Sequence, residues 1–433
     1  MSGPLLGVLG FAAAVLLVLL RVPVAVAMGL VGAAGLWLTG GAVTVGFVLG
    51  AAPFEAVFPY SLSVVPLFVA MGVFAARAGL SAALFRAVDA LVGRFRGGLA
   101  LATVGACAGF GAICGSSLAT AATMARVAYP EMERRGYDPG LAAASIAAGG
   151  TLGVLIPPSI LLVLYGLLTE QSIGELFAAA LLPGVLATGL YMAAVSLTLR
   201  LFPHLAPPGE AADPRERRRA LREVRPVALL FVVVIGGIYV GLFSPTEAAA
   251  VGAAGAVGLA LVRGSLGGAV LADALLETAR ISGMIFLVLM GAAVFNHFVE
   301  MTGLPHGLVE WVRATGWSPL PVMIAVLLFY VVLGCFMDSL SMILLTIPFV
   351  FPVVLELGYD PVWFGIVVVT VAELGLITPP VGMNLFVIQG TVPGLRLSTV
   401  VRGLPPFVLA DLVRLALLVA FPQIALWLPA TMR

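Results

Sequence analysis

The sequence predicts an all-α integral membrane protein built from two inverted repeats, each with a re-entrant helical hairpin and a broken transmembrane helix. Three observations lead there. Of 433 residues, 61% are hydrophobic and only 10% charged, where a soluble domain carries about 25% charged residues. A folded particle of this size must still cover itself with polar groups, so lipid is the solvent that suits the composition. The chain also repeats itself at an offset of 222 residues, and a Gly- and Pro-rich interruption falls at the same place in both copies.

The repeat is read by laying Pro130–Pro158 on Pro352–Pro380, where nine of 29 positions are identical without a gap. They include Gly136-Tyr137-Asp138-Pro139 against Gly358-Tyr359-Asp360-Pro361, Gly153 against Gly375, and Pro157-Pro158 against Pro379-Pro380. At the same offset Ser117-Leu118 meets Ser339-Leu340. Residues 1–200 and 227–433 thus form two copies. Between them, 201–226 is the one strongly polar stretch, with Arg215, Arg217, Arg218, Arg219, Arg222 and Arg225. The positive-inside rule assigns it to the cytoplasm.

That anchor orders the elements. Leu5–Leu20 runs inward to Arg21; its apolar run precedes the charge, so it reads as a span and not a signal peptide. Val24–Leu38 returns outward, and Leu62–Ala76 comes in to Arg77, Arg86, Arg94 and Arg96. The 98–125 segment dips and returns to Arg126, Arg134 and Arg135, a re-entrant hairpin. The 139–168 segment runs outward as a broken helix, and Leu176–Leu199 comes in to Arg200. Five crossings are an odd number, so the second copy is inverted. It follows as Val227–Phe243, Thr246–Val262, Ile281–Val299, a hairpin at 317–355, a broken helix at 361–392, and Leu404–Leu428. The N-terminus is then periplasmic, and only Arg313, Arg414 and Arg433 lie outside the cytoplasmic flank. Two parallel copies would need an even crossing count. Asp138-Pro139 and Asp360-Pro361 each pair an N-cap with Pro at the first helical position. Ser244 and Glu247 fit a capping box.

Composition also excludes classes. Net charge is +1, which points to no nucleic-acid partner. Every basic residue is Arg, so the Lys of a phosphate-binding Walker A loop is missing and no ATPase function is expected. Three His and three Cys lack metal-ligand spacing, so no metal beyond sodium and no cofactor is expected.

The interruptions carry the chemistry. The first spans Gly149-Gly150-Thr151-Leu152-Gly153 to Pro157-Pro158-Ser159, and the second Glu373 to Pro379-Pro380, Gly382, Met383 and Asn384. Twelve residues at 1.5 Å each put the first break roughly 18 Å into its helix, near mid-bilayer. Unwound backbone at that depth is tolerated where it is buried or lines a cavity; its freed carbonyls are hard donors suited to Na+, and half-helix N-termini face anions. A packed Pro kink is the alternative, but two at matching positions favour a transport site. The hairpin turns bring Ser116 and Ser117, and Asp338 and Ser339; these serines either complete an oxygen cage or satisfy the turn backbone. Asp338 is an ionisable group at membrane depth, and Glu373 either serves the site or caps the second half-helix.

At Cys114-Gly115-Ser116-Ser117, the Gly-Thr-Leu-Gly to Ile-Pro-Pro-Ser-Ile run at 150–160, Ser244-Pro245-Thr246-Glu247-Ala248 and the Thr-Pro-Pro-Val-Gly-Met-Asn-Leu-Phe run at 378–386, the chain resembles the large permease of TRAP (tripartite ATP-independent periplasmic) transporters. The resemblance spans essentially the whole chain. It implies an elevator-type carrier in a bacterial inner membrane, importing a carboxylate with sodium as coupling ion. It implies one sodium site on Ser116, Ser117, Gly149, Thr151 and Gly153, and another on Asp338, Ser339, Gly375, Thr378 and Met383. Pro157, Pro158, Ser159, Glu373, Pro379, Pro380, Gly382 and Asn384 then border the substrate. A separate small membrane subunit of the DctQ type and a periplasmic solute-binding protein of the DctP type are implied as partners. The chain departs from many relatives at Val371, where they carry Asn. The main alternative is a stand-alone sodium–carboxylate symporter needing no binding protein. An intramembrane serine enzyme lacks a His spaced to serve Ser116 or Ser117, and a channel would show non-saturating flux.

Overall fold

A computed structural model describes residues 2–432, so Arg433, one of the three expected exceptions, lies outside the described residues. The helices are α1 (Gly3–Leu19), α2 (Val24–Val57), α3 (Val64–Arg77), α4 (Leu80–Val92), α5 (Gly98–Cys114), α6 (Ser117–Val127) and α7 (Tyr129–Arg134). Then come α8 (Pro139–Leu155), α9 (Ile160–Thr169), α10 (Ile173–Leu201), α11 (Pro214–Tyr239), α12 (Pro245–Val262), α13 (Gly268–Met301) and α14 (Leu304–Thr315). The last are α15 (Pro319–Gly334), α16 (Ser339–Glu356), α17 (Pro361–Ile377), α18 (Met383–Thr391), α19 (Leu397–Gly403), α20 (Pro405–Ala420) and α21 (Gln423–Ala430). The described chain is all-α. Six of its helices are long and apolar enough to cross a membrane, and α8 with α9 passes the same test as a pair bent by 42°.

The offset of 222 found in the sequence carries over to helix ends. α8 and α17 start at 139 and 361 and stop at 155 and 377, and α6 and α16 start at 117 and 339. Local chemistry repeats too. Asp138 accepts from the Leu141 amide and Asp360 from the Trp363 amide, both at 2.9 Å. The Ser244–Glu247 capping box is complete in both directions.

Packing sorts most helices into two groups. α1, α2, α3, α11, α12 and α13 pack on one another, with α2 on α13 and α3 on α12 as the broadest faces. The hairpins α5–α6 and α15–α16, the broken helices α8–α9 and α17–α18, and α10 with α20 form the other. Residues Gly140–Leu155 of α8 and Val362–Ile377 of α17 are all buried. That enclosure explains why both helices are apolar all round and why broken backbone is tolerated at their ends.

Several elements are absent from the sequence reading. α4 and α14 are amphipathic helices leading into the hairpins; α4 buries Leu80, Leu84 and Phe85 and exposes Arg86. Neither is apolar enough to register as a span, and only a packed neighbour defines its buried face. α2 extends to Val57, well past Leu38. At 1.5 Å per residue its 34 residues would run about 51 Å, beyond a hydrocarbon core of about 30 Å. It is broken at Gly41, whose φ of 75° suits a residue without Cβ. The basic stretch is half helical, since α11 begins at Pro214 behind the Asp213 cap. Arg414 is no topology marker. It is 1% exposed and ion-paired to Asp411 at 2.9 Å inside the protein.

Candidate functional site

The two breaks are shorter than the sequence suggests. Gly149, Thr151 and Gly153 remain helical in α8, and Glu373 and Gly375 in α17. The irregular stretches are Ile156–Ser159 and Thr378–Gly382. The glycines do not unwind the backbone because tight packing supports it. A Cβ on Gly149 would meet the Cys107 sulfur at 2.8 Å, and one on Gly153 the Thr120 hydroxyl at 2.5 Å. The prolines make the breaks. Without N–H groups, Pro157 and Pro158 leave the carbonyls of Gly153 and Val154 without their i+4 donors, as Pro379 and Pro380 do for Gly375 and Leu376. Both Pro–Pro peptides are cis. The chain resumes at Ser159, whose hydroxyl accepts from the Leu162 amide at 3.3 Å, and at Gly382, the N-cap of α18, which Met383 begins.

Each hairpin tip lies on the break of its own half. A Cβ on Gly115 would stand 2.9 Å from the Pro158 carbonyl oxygen. In the other half, the Gly382 amide donates to the Cys335 carbonyl at 3.3 Å, and a Cβ on Gly375 would fall 2.5 Å from the Gly334 Cα. Ser116 caps α6 by accepting from the Ala119 amide, and Asp338 caps α16 by accepting from the Ser341 amide and hydroxyl. Asp338, read from the sequence only as an ionisable group at membrane depth, thus serves as a helix cap.

The halves then meet at Glu373. Its side chain is 1% exposed and does not cap α18. Its Oε1 accepts from the Ser339 hydroxyl at 2.8 Å, the Ser117 hydroxyl faces the same carboxyl, and Oε2 has no hydrogen-bond partner. Ser116, Ser117, Asp338, Ser339 and Glu373 line one cavity of 130 Å³ whose other walls include Ile285 and Leu161. A larger cavity of 600 Å³ runs from Ser116 to Arg126 and to the Arg77–Glu277 ion pair. Another, of 740 Å³, lies among Arg86, Glu131, Arg219 and Glu223 and is lined by no residue of either break.

Other expected residues point elsewhere. The Thr151 hydroxyl donates to the Ala148 carbonyl or bonds the Tyr191 hydroxyl, 3.0 Å away on α10. Thr378 bonds back to the Leu374 carbonyl. Asn384 reaches across the halves, its Nδ2 donating to the Ala147 carbonyl at 3.1 Å while Oδ1 lacks a partner. The sequence reading missed the buried set Tyr191, Asp411 and Arg414. Two opposite charges three residues apart in an apolar helix were its available signal.

Residues 11–424 match the family described as tripartite ATP-independent periplasmic transporter, DctM component. The chain belongs to this family. The C4-dicarboxylate TRAP transporter large permease protein DctM of Pseudomonas aeruginosa is 37% identical, over 87% of this chain and 88% of that one. The sialic acid TRAP transporter large permease protein SiaM of Vibrio cholerae is 34% identical over 86% of each. The isethionate TRAP transporter permease protein DctMQ of Oleidesulfovibrio alaskensis is 34% identical over 94% of this chain and 64% of its own length. Among solved structures, the Alcanivorax borkumensis YdaH transporter aligns with a TM-score of 0.60 at 18% identity, covering 89% of this chain and 87% of that one. The fold is therefore that of a membrane transporter, and this DctM-family permease is not an enzyme.

Proposed function

We propose that this permease imports an organic anion, a carboxylate in the first instance, with Na+ as the coupling ion. One observation carries the reading: both hairpin tips and the helix ends that flank both breaks, Val154 and Ile160 in one half and Glu373 and Leu376 in the other, line a single cavity that holds Ser117, Ser339 and Glu373. The carbonyls of Gly153, Val154 and Leu376, which the prolines leave without i+4 donors, together with hydroxyls at the tips, suit Na+, and the N-terminus of α6 suits an anion, whereas that of α16 already holds the Asp338 carboxylate. Ions at the two breaks would offset the anion's charge, whose desolvation otherwise costs several kcal/mol. One net positive charge entering across 100 mV gains about 2.3 kcal/mol, which two Na+ with a monocarboxylate would use and two with a dicarboxylate would not. The relatives' named substrates range over C4-dicarboxylate, sialic acid, isethionate and ectoine, so the carboxylate assignment rests on the site and not on the relatives.

A periplasmic binding protein delivers the substrate and a small DctQ-like membrane subunit completes the assembly in the inner membrane. The N-terminus faces the periplasm and 201–226 the cytoplasm. The helices of the hairpin group move against those of the α2–α13 group in an elevator cycle. The Arg126-bearing cavity that reaches Ser116 suits release toward the basic, cytoplasmic side.

Reconstitution tests this. Proteoliposomes holding both membrane subunits, with a panel of binding proteins, should take up substrate only under an inward sodium gradient. Uptake by this subunit alone would favour a stand-alone symporter, and uptake indifferent to sodium would sink the coupling.

A further inference from the structure

Glu373 is a buried carboxyl whose Oε1 accepts from the Ser339 hydroxyl, while its Oε2 has no hydrogen-bond partner. None of the ion pairs among the described residues includes it. Its Oε2 is sealed from solvent without a hydrogen-bond partner while the residue lines the 130 Å³ cavity. A buried charge without a partner is costly unless an ion or hydrogen bonds satisfy it. The same cavity is where a substrate carboxylate would sit, and two carboxylates in so small a space repel one another unless a cation lies between them.

We propose that Glu373, with the hydroxyls of Ser117 and Ser339, forms a monovalent cation site shared by the two halves; it draws one hydroxyl from each of the sodium sites that the family resemblance implies at the breaks, and Glu373 is the ligand that belongs to it alone. This rests on the transport reading above and deepens it. The donors fit. A carboxylate oxygen and two hydroxyl oxygens are hard ligands, and Ser339 keeps lone pairs after donating to Oε1. A single carboxylate suits one positive charge, and among the described residues no group of three His, Cys, Asp or Glu is placed to hold a more demanding metal. Asp338 lines the same cavity, but its carboxylate is engaged by the Ser341 amide and hydroxyl.

The site is asymmetric by construction. At the offset of 222, Glu373 corresponds to Thr151, whose hydroxyl lies against Tyr191. The first half therefore supplies only Ser117, and the site forms only where the two hairpins meet. A cation there gives the substrate's carboxylate an attractive neighbour in place of Glu373, so ion loading precedes substrate loading.

Equilibrium binding of ²²Na+ to the purified permease in detergent, without substrate, tests the site. Glu373→Gln should bind one fewer sodium ion per chain than wild type, and the Hill coefficient of sodium-driven uptake should fall by the same step, whereas Glu373→Asp keeps the ion at weaker affinity. A Glu373→Gln protein that binds as many ions at unchanged affinity overturns the site. Gel filtration and the melting temperature report whether the variant is folded; should it not be, Glu373→Asp, which keeps the carboxylate and both hydroxyls, should weaken one class of sodium binding severalfold and leave the others, and unchanged binding of every class overturns the site equally. Wild type that binds no sodium would instead overturn the coupling-ion reading itself.

Discussion

Tyr191 on α10 donates its hydroxyl proton to Asp411 on α20, at 2.7 and 2.8 Å from the two carboxylate oxygens. The bond joins the two halves inside the protein, and both residues are fully buried. Arg414 closes the set from the other side of Asp411 at 2.9 Å, and the Thr151 hydroxyl closes it from α8 at 3.0 Å.

Removing one member of this set should be costly. Asp411→Ala strands the buried Arg414 and should destabilise the protein by about 3–5 kcal/mol. Tyr191→Phe loses a hydrogen bond to a charged group, which is worth about 1.5–3 kcal/mol. Asp411→Leu combined with Arg414→Met removes both charges at once and should recover most of the loss. Melting temperatures of the purified variants decide this; a double variant no better than Asp411→Ala would mean the pair is not what the buried charge depends on.

The close contact of Gly375 with Gly334 makes a second expectation. Gly375→Ala would push a methyl to 2.5 Å from the Gly334 Cα, and overpacking of this kind costs about 1–3 kcal/mol. Gly258→Ala in α12 has open space around it and should be neutral or stabilising by about 0.4–1 kcal/mol. Equal melting temperatures for the two variants would remove the tight approach from the account.

Replacing Pro157 and Pro158 by Ala restores two backbone donors and lets α8 and α9 join. The carbonyls of Gly153 and Val154 are then satisfied internally and lost to an ion. Sodium-driven uptake should need about tenfold more sodium, equivalent to about 1.4 kcal/mol. Unchanged half-saturation would show that the broken turn supplies no ligand.

Outside the membrane, Arg86 and then Arg219 hold the Glu223 carboxyl below its ordinary value of 4.5. A carboxyl lowered in the folded state adds stability above its unfolded value, and that stability is lost as pH falls through the folded value. The Arg86–Glu223 pair, at 2.8 Å, ties α4 to α11 but is about a third exposed at Glu223 and more than half at Arg86, so the gain should be at most about 1 kcal/mol. The melting-temperature difference between wild type and Arg86→Ala should be small at pH 7, begin to shrink as pH falls past 4.5 and vanish once pH is below the lowered folded value, or in high salt. A difference that persists in acid would point to packing of the Arg86 stem.

Much of the fold was legible because local rules repeat. Asp138-Pro139, Asp360-Pro361 and the Ser244–Glu247 box each announce a helix start within a few residues, and the shared Pro–Pro dipeptides mark both breaks. The breaks were drawn too wide because a glycine run reads as irregular unless its packing is known; Gly149 and Gly153 serve α5 and α6 and stay helical. Ser117, Ser339 and Glu373 were each identifiable, but their meeting was not, since it depends on how two distant hairpins pack. Arg414 misled as a topology marker because a charge count cannot see Asp411 beside it in a sealed interior.

The broken helices have one more property. α9, the far half of the first, packs on α16 of the other half's hairpin, and α18, the far half of the second, packs on α6. The two copies are interleaved like clasped fingers. In the proposed elevator cycle a shift of either broken helix would carry the opposite hairpin with it, so the centre would travel as one block.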